Sequence, residues 1–129
     1  MTTQAHKDQV ARLVEEEGAQ THRFWKNMLE ALRVEQDEED VEYIGMRCDK
    51  IVPDAYKIHP DLDTIEVWEV ESSYKISPRK LAKLRRLWVS LDCLGWDLLC
   101  HNIDAQSGAS WDVDLCTLYL GSLTEEFAP

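Results

Sequence analysis

Residues 51–74 read IVPDAYKIHPDLDTIEVWEVESSY, and this stretch decides the fold. Two runs rich in β-branched and aromatic residues, 51–58 and 64–74, flank His59-Pro60-Asp61-Leu62-Asp63. Pro and Asp make that middle segment a turn, so the two runs are expected to pair as antiparallel strands. Side chains alternate faces along a strand, which places Glu69 and Glu71 on the face of Ile65 and Val67. That face starts apolar and ends acidic, as at the rim of a sheet. Asp54 shares its parity with Val52, Tyr56 and Ile58, so it is an acid on an apolar face and needs a partner or a cation. Once the runs pair, Asp54 reaches the point that Glu69 and Glu71 face. Converging carboxylates repel each other unless a cation joins them, and hard oxygen ligands select Mg²⁺ or Mn²⁺. The other Pro-Asp pair, Pro60-Asp61, lies in the turn and is less suited to the role.

Upstream, residues 41–48 (VEYIGMRC) read as a further strand, completing a three-stranded meander. Residues 35–42 carry six acids and read as a connector. Residues 6–34 read as helix from the spacing of Val10, Val14, Trp25, Met28, Leu29 and Leu32, with Gly18 dividing it in two. Downstream, Ser77 is a good N-cap and Pro78 suits the first helical position. Leu81, Leu84, Trp88 and Leu91 form one apolar stripe, and Gly95 stops the helix. Arg79, Lys83 and Arg86 lie opposite the stripe, with Lys80 at its edge. A strand over 96–103, a loop over 105–111 and a last run over 113–120 complete the order. A strand, a helix and a strand in succession form a crossover, which is usually parallel. The expected class is α/β, with a mixed central sheet flanked by helices.

The 129 residues suit a single domain, 1–129, with a helical region near 6–34 and an αβ core near 41–120. A 44% hydrophobic share and five tryptophans imply a packed core. No apolar run approaches the ~20 residues of a membrane span, and the polar start lacks a signal peptide's apolar region. The expectation is a cytoplasmic protein without membrane contact. The four cysteines, Cys48, Cys93, Cys100 and Cys116, show no CxxC spacing and are expected reduced and buried. His59 reads as a surface residue in a turn and His101 as a core or edge histidine. Ser72-Ser73 lacks a nearby His, and no P-loop or nucleophile elbow is present.

The net charge is −11, yet residues 75–86 hold Lys75, Arg79, Lys80, Lys83, Arg85 and Arg86 and no acid. A basic surface is expected beside an acidic one, either as a solvated face or as a contact for phosphates.

The order αβββαβ, Pro-Asp opening the second strand and Glu-x-Glu in the third together resemble the PD-(D/E)xK nuclease superfamily, over roughly residues 6–104. The resemblance implies a restriction-endonuclease-like core and metal-dependent hydrolysis of phosphodiester bonds, with DNA as the expected substrate. It implies a Mg²⁺ or Mn²⁺ site made by Asp54, Glu69 and the Val70 carbonyl. Glu71 stands where the family has lysine. Some restriction endonucleases of the superfamily use Glu-x-Glu, and other branches place the lysine on the next helix, where Lys80 is the first candidate and Lys83 the second. The catalytic set implied is therefore Asp54, Glu69, Glu71 and Lys80. The first helix of the family often supplies a further acid, for which Glu15, Glu16 and Glu17 are candidates. Lys75, Arg79, Lys83 and Arg86 would contact nucleic acid, and so small a chain would work as a homodimer, with a larger partner, or with little sequence specificity. Two other readings share these residues. One is a catalytically inactive binding module of the same fold. The other is an acidic interaction protein that mimics nucleic-acid charge.

Overall fold

The computed structural model describes residues 3–48, 50–72 and 76–115. Three helices lead the chain: α1 (Gln4–Glu17), α2 (Phe24–Arg33) and α3 (Glu38–Arg47). Strands β1 (Ala55–His59) and β2 (Thr64–Glu71) follow, joined by a short 3₁₀ turn at Pro60–Leu62. Helix α4 (Pro78–Asp92) leads to β3 (Asp97–Asp104) and β4 (Ser110–Val113). The four strands lie side by side in chain order; β1–β2 and β3–β4 are antiparallel and β2–β3 is parallel. The class is thus α/β with a mixed open sheet, and α4 makes the expected parallel crossover. Among the described residues, no helix is long and apolar enough to cross a membrane.

Three elements depart from expectation. Residues 41–48 belong to helix α3, not to a strand. Glu38, Glu39 and Asp40 fill its first turn, where acids favour the positive end of the helix, and Arg47 sits in its last turn. Val41, Ile44 and Cys48 are buried at helical spacing in the core that α2 and α4 also line. The element order among the described residues is therefore αααββαββ rather than αβββαβ. The first of the 51–74 strands starts only at Ala55, so Asp54 stands just before it in a bend. The last strand covers Ser110–Val113, so it takes in part of the expected loop 105–111 and meets the expected run 113–120 only at Val113, while 116–120 lie outside the described residues, as does Cys116.

The sheet has two covered faces. Ile65, Val67, Leu98 and Cys100 pack with α2, α3 and α4 in the larger core. Ala55, Trp68, Val70 and Ile103 pack with Leu13 and Ala19 beside α1 in the smaller one. Gly18 ends α1 in the left-handed region at φ 69°, a conformation glycine reaches without a Cβ clash. Cys48 and Cys100 are buried, but Cys93, just past α4, is exposed, contrary to expectation.

Helix α4 starts as its sequence dictates. Ser77 Oγ accepts from the Lys80 N–H at 3.2 Å, and Pro78 fills the first turn. Leu84, Leu87 and Leu91 are fully buried along one face. A Ser77→Ala substitution is expected to lower stability by about 1 kcal/mol through loss of the cap, measured by urea unfolding.

Candidate active site

Asp54 is held from both sides along the chain. Upstream, the Trp25 indole donates to the Ile51 carbonyl at 2.7 Å. Downstream, fully buried Tyr56 exchanges backbone hydrogen bonds with Gln20 at 2.8 and 2.9 Å. The Tyr56 hydroxyl donates to the His22 carbonyl and accepts from Asn27 Nδ2 at 2.8 Å. Between these anchors, Asp54 Oδ2 accepts from the Val70 N–H at 2.8 Å. The Asp54 side chain thereby continues the β1–β2 ladder past the end of β1. A strand residue directs its N–H and C=O to the same edge in antiparallel pairing, so the Val70 carbonyl also faces the Asp54 side.

Glu69 occupies the position that parity assigns. It follows Ile65 and Val67 on the face under α4 and is 0% exposed. Lys80, from the first turn of α4, makes an ion pair with Glu69 Oε2. Glu69 Oε1 is buried without a hydrogen-bond partner among the described residues. Burial pushes the Glu69 carboxyl up to about 8; the Lys80 ammonium opposes this and the Asp54 carboxylate adds to it. Glu71, one step along the same face and partly exposed, is also raised by burial, with Lys80 opposing and Asp54 adding. Burial works against the Lys80 charge, but Glu69, Asp54 and Glu71 outweigh it and raise its pKa. The four expected catalytic residues thus act on one another electrostatically in one place. A cavity of about 280 Å³ opens onto three of them, Asp54, Glu71 and Lys80, together with Val70, Thr3, His6 and Ser72, while Glu69 lies buried and does not line it.

The contribution of α1 differs from expectation. Glu15, Glu16 and Glu17 are exposed at its far end. The helix instead brings His6, whose Nε2 lies 3.2 Å from Asp54 Oδ1. No local signal marks His6; only the packing of α1 across the sheet brings it there.

Among the described residues, no group of three or more His, Cys, Asp and Glu side chains is placed to hold a metal ion. The oxygens that do gather are those of Asp54 and Glu69, with the Val70 carbonyl on the same side. This is a hard-donor set of the type that suits Mg²⁺ or Mn²⁺. The unpartnered buried Glu69 Oε1 is the observation that fits a cation there.

Of the expected phosphate contacts, Arg79, Lys83 and Arg86 line a surface groove along α4, while Lys75 lies outside the described residues. His59 ends β1 rather than sitting in a turn. It joins Glu66, His101 and Asp112 in a row that takes one residue from each strand. His59 Nε2 is 3.0 Å and His101 Nε2 is 2.6 Å from Glu66, and His101 Nδ1 is 2.7 Å from Asp112. Trp68 stacks on His101 at 5.4 Å. The row cross-links the strands through side-chain pairs and is separate from the acid–lysine set.

Comparison with known proteins finds no match to a family model, a curated protein or a solved structure. What is established is an α/β protein with a buried acid–lysine pair at the rim of its sheet.

Proposed function

We propose that the chain is a metal-dependent nuclease that hydrolyses phosphodiester bonds, with DNA as substrate, built on a restriction-endonuclease-like variant of the α/β fold. The observation that carries this reading is the meeting of Lys80 with buried Glu69 beside Asp54. These residues come from the start of α4, the end of β2 and the bend before β1. The segment β1–β2–α4–β3 thereby assembles an acid, an acid and a lysine taken from the helix, which supplies the function that Glu71 cannot.

Asp54, Glu69 and the Val70 carbonyl would hold Mg²⁺ or Mn²⁺. Such an ion supplies Lewis acidity toward a phosphate oxygen and a more acidic bound water. The protein's own groups do the rest. Lys80 presents positive charge to the scissile phosphate and offsets the charge that develops there. Glu71, partly exposed beside Lys80 in the pocket, would accept the proton of an attacking water. His6 orients Asp54 through its Oδ1 contact.

The test is cleavage of labelled single- and double-stranded DNA and RNA with Mn²⁺ and with a chelator, with Asp54→Ala beside the wild type. Metal-dependent cleavage of DNA that is absent in the variant is the expected result. Absence of cleavage, or equal cleavage by the two proteins, overturns the reading and leaves the same fold as a binding module.

A further inference from the structure

The cations of α4 continue away from the acid pocket. Lys50, from the segment before β1, joins Arg79, Lys83 and Arg86 along a groove of about 490 Å³. A second groove of about 320 Å³ is lined by Lys50, Arg79 and Lys83 again, and now also by Lys80. Lys80 in turn lines the acid pocket with Asp54 and Glu71. The three hollows are therefore neighbours through shared lining residues, with Lys80 lining both a basic groove and the acid pocket. No acid lines either basic groove among the described residues. In a chain of net charge −11, this local excess of positive charge is a directed feature. Lys50 strengthens the point, because it comes from a different element and converges on the helix face.

Arg79, Lys83 and Arg86 stand at helical spacing on one face of α4. Their span is roughly 10 Å at the rise of an α-helix. A face of that length covers a few phosphates of one strand.

We propose that Lys50, Arg79 and Lys83, which line both basic grooves, form a one-sided track for a nucleic-acid backbone that leads it to Lys80. This rests on the nuclease reading for the identity of the polyanion. It adds that the substrate must extend by a few phosphates on the α4 side, and that Lys50 is a binding residue.

The test is equilibrium binding of a fluorescent 12-nucleotide strand and a 12-base-pair duplex by the full chain, in EDTA so that cleavage plays no part. Three phosphate contacts give a slope of log K against log salt of about −2.7 on the duplex and about −2.1 on the single strand, and a Lys50→Ala/Lys83→Ala protein, with one contact left, is expected near about −0.9 and −0.7. Lys26→Ala, on α2 and outside the groove, is the control and keeps the wild-type slope. The proposal is overturned by an unchanged slope in the double variant, or by no binding at low salt. It is also overturned if the wild type binds neither probe and self-associates in a way that the double variant abolishes. That outcome would place the acidic residues 35–42 of a second copy in the groove. Binding with the expected slope but no Mn²⁺-dependent cleavage would keep the track and remove the nuclease reading, so the two fail separately.

Discussion

A Glu69→Gln protein is expected to lose metal-dependent cleavage by roughly 10³-fold and, at the same time, to hold its stability better than the wild type as pH rises. On the proposed nuclease reading, the activity loss follows from removing the Glu69 carboxylate from the acid set. The stability effect follows from burial. The Glu69 carboxyl is raised from 4.5 to about 8 in the folded chain, chiefly by desolvation. Between those values the folded protein keeps a proton that the unfolded chain has released. Stability linked to Glu69 is therefore fully present below about pH 4.5 and is lost as pH rises through about 8. The slope in that window is at most about 1.4 kcal/mol per pH unit. Glutamine has no proton to lose, so the variant lacks this slope. Urea unfolding at pH 5, 7 and 9 would show the wild type falling relative to the variant. Parallel curves would mean that Glu69 is not buried as a carboxyl in solution.

The parts of this site that are readable from sequence are those fixed by local periodicity. Parity along β2 places Glu69 and Glu71 on one face, and the turn chemistry of 59–63 brings the strand that Asp54 precedes alongside. Ser77, Pro78 and the leucine stripe define α4 with little ambiguity. What escapes is set by packing between distant segments. Residues 41–48 mix Val, Tyr and Ile in a way that suits a strand, and the helix wins because Val41, Ile44 and Cys48 fit the core that α2 and α4 enclose. The Glu69–Lys80 pair depends on how α4 crosses the sheet, so a helical wheel marks Lys80 only as an edge position. His6 and Lys50 carry no motif at all. Each matters because a fold-level arrangement carries it to the acid pocket or to the basic groove. Asp54 lies just outside the strand expected to contain it, and that bend lets its carboxylate reach the Val70 N–H.

Replacing Lys80 with methionine is expected to lower both activity and stability, and the two effects separate in a double variant. Glu69 is fully buried against the Lys80 ammonium, whose side chain keeps 27% exposure. Removing that charge leaves a buried carboxylate without its counter-ion. The cost at alkaline pH is roughly 3 kcal/mol, the low end for breaking a buried pair, because solvent still reaches the lysine position. Below about pH 8 the cost is smaller, since Glu69 responds by keeping its proton. Lys80 also holds the Glu69 pKa down, so Lys80→Met extends the loss of stability to higher pH without steepening it. Activity is expected to fall by about 10²- to 10³-fold, the usual effect of removing one group aimed at developing charge. Adding Glu69→Gln to Lys80→Met removes the unpaired carboxylate. Stability should then recover by about 1–3 kcal/mol relative to additive losses, while activity stays lost. Strictly additive stabilities in that cycle would show that the two side chains do not pair in solution. Lys80→Arg keeps the charge, so it should restore stability more than activity. A planar guanidinium can neutralise Glu69, but it cannot present a compact ammonium to the same phosphate oxygen.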